Sequence, residues 1–132
     1  MKKLKICYLA ILVLSLSACN RGEEPAPTIV SGTAFLADGT LLSDHIIRVE
    51  GIREFICPPF IYCDGEDTMT RDSVLTDEQG RFSITIEPYE EVDYYSVYID
   101  GVFPGTNECA NITQSVAPGS VVSDMSLFIS CE

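Results

Sequence analysis

The residues of this 132-residue chain whose types could do chemistry are six cysteines, one histidine and twenty carboxylates. The cysteines fall at Cys7, Cys19, Cys57, Cys63, Cys109 and Cys131. A structural zinc site draws on closely spaced thiolates and imidazoles. No Cys-x-x-Cys pair occurs and His45 is the sole histidine, so these spacings do not describe one. Nucleophilic catalysis needs a serine or thiol beside a base that a third group orients. The chain has no Gly-x-Ser-x-Gly turn. His45, in phase with Ile47 and Val49, reads as a structural residue facing inward near a sheet end. The carboxylates gather as Asp64, Glu66 and Asp67 in one stretch, and as Glu87, Glu90, Glu91 and Asp93 in another. Calcium takes about six to eight converging oxygens. Asp64-Gly65-Glu66-Asp67 lacks the spacing of an EF-hand loop and reads as a solvated turn. Nothing marks the cleft that paired glycosidase carboxylates flank. The reading is non-enzymatic, with no catalytic residue, metal site or cofactor.

The N-terminus gives Cys19 a separate chemistry. Lys2, Lys3 and Lys5 form a basic start, and an apolar run from Ile6 to Ala18 follows, broken only by Ser15 and Ser17. A spanning helix needs roughly 20 apolar residues, so this run suits a signal peptide and not a membrane span. Leu16-Ser17-Ala18-Cys19 resembles the lipobox of bacterial lipoproteins. The resemblance implies that residues 1–18 are a signal removed just before Cys19. It also implies a diacylglyceryl group on the Cys19 thiol and an acyl group on the new amine. Two or more chains anchor stably where one binds only marginally, so Cys19 is the expected membrane contact.

Cys7 leaves with the signal and Cys19 takes lipid, which leaves Cys57, Cys63, Cys109 and Cys131. An even set in an exported protein reads as disulfides. Of the three possible pairings, Cys57–Cys63 closing a small loop and Cys109–Cys131 tying down the C-terminus are favoured.

Residues 19–28 are polar and proline-bearing, an extended tether ahead of one domain at 29–132. Asn20 is not the aspartate that retains many lipoproteins at the inner membrane, and Glu23 and Glu24 resemble acidic export tags of surface lipoproteins in the Bacteroidetes. The expected address is therefore the cell envelope at the outer membrane, on its periplasmic face or the cell surface. All three lysines lie in the signal, so five arginines face twenty acids and the mature net charge is near −15. That excludes a basic nucleic-acid footprint and attraction to anionic headgroups.

From Ile29 the periodicity is that of strands. Ile29 to Ala37 ends at the Asp38-Gly39 turn signal. Ile47 and Val49 alternate with Arg48 and Glu50. Ser73 to Thr76 leads into Asp77-Glu78-Gln79-Gly80, and then Phe82, Ile84 and Ile86 alternate with polar residues. Tyr94 to Asp100 and the run through Met125, Leu127 and Ile129 follow. No helical stripe appears. The pattern predicts a single antiparallel β-sandwich of about seven strands.

These residues also resemble a family. Val30-Ser31-Gly32-Thr33-Ala34, Asp38-Gly39-Thr40-Leu41-Leu42, Ile47-Arg48-Val49-Glu50-Gly51 and Thr76-Asp77-Glu78-Gln79-Gly80-Arg81-Phe82-Ser83-Ile84 look like carboxypeptidase-regulatory-like domains. Those are transthyretin-like seven-stranded sandwiches related to the B-type repeats of Gram-positive collagen adhesins. The likeness covers residues 29–86, with a final strand at 121–130, and implies a fold more than a chemistry. Transthyretin-like hydrolases use several histidines, which this chain lacks. The lysine of the adhesins' isopeptide cross-link is absent from the mature chain, leaving disulfides as its staples. Two departures stand out. The segment from Ile52 to Asp72 is far longer than the usual link, and His45 stands where an aliphatic residue is usual.

That long segment holds Phe55-Ile56-Cys57-Pro58-Pro59-Phe60-Ile61-Tyr62-Cys63. Two prolines and a bridge make a stiff loop whose ordering cost is largely met before a partner arrives. Phe60, Ile61 and Tyr62 then form a contact patch, unless the loop folds back over a sheet edge or the end of the sandwich. Asp67-Thr68-Met69 and Asp72-Ser73-Val74 look like Bacteroidetes O-glycosylation acceptors; if the chain comes from that group, the resemblance implies Thr68 and Ser73 as the acceptor residues. The expected function is a lipid-anchored accessory or adhesin-like module binding a protein or glycan partner. The alternatives are a small inhibitor or ligand-binding protein acting through the 57–63 loop, and a hydrolase with a concealed site.

Overall fold

The computed structural model describes residues 24–58, 65–101 and 109–131. Within them the fold is all-β, with eight strands and no helix: β1 Thr28–Leu36, β2 Ile46–Phe55, β3 Gly65–Leu75, β4 Arg81–Ile86, β5 Tyr94–Asp100, β6 Cys109–Asn111, β7 Gln114–Val116 and β8 Val121–Cys131. They form two four-stranded sheets, ordered β4-β1-β8-β6 and β3-β2-β5-β7. The expectation of about seven antiparallel strands differs in two details. The short β6 and β7 add edge strands that the alternation does not mark, one to each sheet, and β1 pairs with β8 in parallel. In the immunoglobulin constant arrangement the first two strands share a sheet. Here β1 and β2 lie in opposite sheets, so the chain does not follow that order.

The strands form because alternation gives each one an apolar face. Val30 and Ala34 of β1, Phe82 and Ile86 of β4, and Met125, Leu127 and Ile129 of β8 meet Ile47 and Val49 of β2 and Tyr95, Val97 and Ile99 of β5 in one core. Burial of each valine, isoleucine, leucine, phenylalanine or methionine among them contributes roughly 1.5–3 kcal/mol. The two sheets therefore pack face to face like the halves of a sandwich. On the outer face of the first sheet, Phe35 and Phe128 lie on paired strands with rings stacked 6.0 Å apart.

β1 and β8 approach each other closely at Gly32. A Cβ at Gly32 would sit 2.1 Å from the Met125 carbonyl oxygen, so only glycine fits there. The register slips beside it, between Val30 and Gly32, and Asp124 takes φ 60° to absorb the extra residue of β8. Such a bulge lets Met125, Leu127 and Ile129 face the core beyond the irregularity.

Turns follow their chemistry. Asp38 Oδ1 accepts from Thr40 N at 2.9 Å, Gly39 N donates to Leu36 O, and Gly39 takes φ 90°. In the β3–β4 turn, Asp77 Oδ1 accepts from Gln79 N and Arg81 N at 2.8 and 2.9 Å. The buried Thr76 hydroxyl ties this end together: it donates to Leu42 O at 2.6 Å and accepts from His45 N at 3.0 Å.

The region expected as a long link from Ile52 to Asp72 is largely strand. β2 runs on to Phe55, and β3 pairs with it from Gly65 to Leu75. Met69 bulges out of this ladder, between Thr68 opposite Ile52 and Thr70 opposite Gly51. The additional residues lengthen a hairpin.

Candidate functional site

That hairpin outruns its sheet. β2 pairs with β5 only as far as Ile52 opposite Tyr94, whereas its pairing with β3 continues through Arg53, Glu54 and Phe55. At about 3.3 Å per residue, the overhang through Phe55 is roughly 10 Å. Phe55 lies opposite Gly65, and its ring occupies the space beside that glycine, with Cζ 2.7 Å from where a Cβ would stand. Phe55 nevertheless stays 38% exposed, and Ile56 beyond it is 88% exposed. Cys57 follows and is disulfide-bonded.

The loop joining β4 to β5 supports the overhang with polar contacts. Arg53 reaches Glu91 at 3.2 Å and Asp67 at 3.3 Å. Asp93 accepts from Glu54 N at 2.8 Å, and Asp93 N donates to Ile52 O at 2.8 Å. The Tyr94 hydroxyl donates to Glu66 Oε1 at 2.8 Å, and this bond holds the phenol pKa above its ordinary value. Of the carboxylates read from the sequence as two clusters, Glu66, Asp67, Glu91 and Asp93 thus serve as props for the hairpin. No group of three or more potential metal ligands occurs among the described residues.

The outer face of the same sheet carries a second polar group. Arg48 pairs with Asp100 across β2 and β5, and Glu50 binds Arg71 across β2 and β3 at 3.0 Å. The Arg48–Asp100 bond raises the guanidinium pKa. Burial, followed by the nearby Glu50 charge, raises that of Tyr98. These are cross-strand pairs of a solvated sheet face.

Where the chain enters β1, Pro25, Ala26, Thr28, Pro88, Tyr89, Glu90, Tyr95, Pro118 and Gly119 line a cleft of about 260 Å³. Its floor is Tyr95, 1% exposed, whose hydroxyl contacts that of Thr28; burial raises the Tyr95 pKa. Sequence reasoning missed this cleft. Its only sequence signal is a proline beside each of three strand ends.

The residues singled out from sequence divide as follows. Cys19, Phe60, Ile61, Tyr62 and Cys63 lie outside the described residues. Cys109 and Cys131 are directly paired positions of β6 and β8. Thr68 and Ser73 are exposed on β3, an edge strand. His45 precedes β2, half-buried, with Nδ1 2.7 Å from Ser43 O. Comparison of the chain with protein-family models, curated proteins and solved structures finds no match.

Proposed function

We propose that the protein is a lipid-anchored, non-enzymatic binding module of the cell envelope whose contact surface is the β2–β3 hairpin tip. In this reading Cys19 carries the anchor at the outer membrane, and Cys57–Cys63 closes the tip. The remainder of the sandwich, of the carboxypeptidase-regulatory-like kind, is the scaffold. The observation that carries it is the overhang: a hairpin extended past its sheet, braced by Arg53, Glu91 and Asp93, and ending in the 88% exposed Ile56. An apolar residue held out on a braced strand loses little entropy on contact. Exposed apolar groups of this kind mark interaction sites when they are clustered, and Phe60, Ile61 and Tyr62 follow in the sequence. The same surface suits an inhibitor, which is the second reading.

Photo-cross-linking in intact cells tests this. A photoreactive amino acid in place of Ile56 should give a discrete adduct, whereas one in place of Glu78, in the turn at the other end of the fold, should give none. Equal labelling from both positions, or labelling from Glu78 alone, contradicts the proposal.

A further inference from the structure

The chain enters the fold at the end where the hairpin overhangs. Thr28 begins β1 opposite Ile86, the last residue of β4, and Thr28 Oγ1 accepts from Gly119 N at 2.8 Å. Ile86 leads into the loop whose Glu91 and Asp93 hold Arg53 and Glu54 of the hairpin. The opposite end carries Ile46 paired with Leu75, together with the Asp38-Gly39 and Asp77–Gly80 turns. The start of β1 at Thr28 and the end of β2 at Phe55 therefore lie at the same end of the sandwich.

We propose that Phe55 and Ile56, at the projecting end of β2, rest in the lipid–water interface and make a second membrane contact beside the acylated Cys19. This deepens the preceding reading and rests on Cys19 being acylated. Five residues separate Cys19 from Glu24 in position, which spans at most about 18 Å when fully extended. A domain held so close to the bilayer keeps its tether end near the headgroups. The hairpin stands roughly 10 Å beyond β5 on that end. Tyr89, 44% exposed, lies on the same end. Apolar and aromatic side chains of this kind favour the interfacial zone. Because the anchor already confines the domain, a weak second contact suffices at the effective concentration it sets.

Charge selects the lipid. Glu54, Glu66, Asp67, Glu91 and Asp93 surround the base of the overhang, Glu90 lines the cleft at the same end, and Arg53 is the basic residue among the former. Such a collar is repelled by anionic headgroups over about a Debye length, so the surface that fits is zwitterionic.

The chain has no tryptophan, so Ile56→Trp and Leu75→Trp each introduce a single emitter, one at either end. Both native residues are exposed, and circular dichroism verifies that each variant keeps its fold. The full-length lipoproteins are reconstituted in phosphatidylcholine vesicles, with the acyl mass of the N-terminal peptide measured on the same samples. The Ile56→Trp emission should shift to the blue and be quenched at least about twofold more than that of Leu75→Trp by lipids brominated near the headgroup. Anionic lipid should weaken the contact and added salt should restore it. Equal access of a water-borne quencher to both positions in the acylated protein overturns the interfacial contact alone. Stronger contact on anionic vesicles overturns the charge argument. An unacylated N-terminal peptide brings down the anchor reading together with this one.

Discussion

Phe55 covers Gly65. The two are paired across β2 and β3, and the phenyl ring fills the volume that a side chain at position 65 would take. An aromatic residue laid over a glycine on the neighbouring strand replaces packing that the glycine cannot supply. Here it stiffens the last pair before the tip. Gly65→Ala should push the ring aside. Because the obstructing atoms are the far end of a side chain, global stability should fall by less than about 1 kcal/mol. Limited proteolysis within residues 56–64 should accelerate by several-fold. An unchanged cleavage rate would show that the pair does not brace the tip.

Thr76 should be the more costly polar site. Its hydroxyl serves two backbone groups at once, Leu42 O and His45 N, in a position 2% exposed. Thr76→Val keeps the shape and leaves both groups without that partner, so a loss of about 1–3 kcal/mol is expected. Thr76→Ser should recover most of it. Chemical denaturation of the two variants checks this, and equal midpoints for valine and serine would contradict it.

Much of this scaffold was legible from the sequence because its signals are local. The alternation through Phe82, Ile84 and Ile86, and through Met125, Leu127 and Ile129, gave strands in the correct phase. Asp38-Gly39 and Asp77–Gly80 gave turns whose side-chain and backbone bonds the structure contains. The strand character of Gly65–Thr70 was not legible, because Gly-Glu-Asp-Thr-Met-Thr is charged on an edge strand and interrupted by the Met69 bulge. It becomes a strand by pairing with β2, a non-local cause. The parallel β1–β8 contact escaped for a similar reason: Gly32 reads as a weak strand residue until the Met125 carbonyl is seen against it. At the candidate site, the apolar composition of the tip could be read from the sequence. The projection of Arg53, Glu54 and Phe55 past β5, and the place of that end beside the start of β1, depend on tertiary arrangement.

Alkaline pH should destabilise the fold. Burial raises the pKa of Tyr95 and of Tyr98, and the bond to Glu66 raises that of Tyr94. A tyrosine with a raised folded-state pKa releases its proton more readily when unfolded. Its contribution is therefore complete below the ordinary value of about 10 and is lost as pH rises through the folded value. Thermal melts should hold steady from neutral pH to about 9 and fall above about 10. Tyr95→Phe should soften that fall, and an identical decline in the variant would remove Tyr95 from the account.

Disulfide mapping under non-reducing conditions should recover Cys57–Cys63 and Cys109–Cys131. Directly paired residues of antiparallel strands have Cα atoms about 4.5–5.5 Å apart, within the range a disulfide spans, and the β6–β8 register places Cys109 and Cys131 in that relationship. Cys109→Ala should then cost roughly 2–4 kcal/mol. Any peptide joining the 57–63 loop to Cys109 or Cys131 would refute this pattern.

The orientation of the tip, and with it the account of what this domain does, depends on the lipid at Cys19. Metabolic labelling with an alkyne fatty acid, followed by mass analysis of the N-terminal peptide, tests it directly. The wild-type chain should carry label on a peptide beginning at Cys19, and Cys19→Ser should carry none. An unlabelled wild-type chain, or label that persists in Cys19→Ser, would contradict the account.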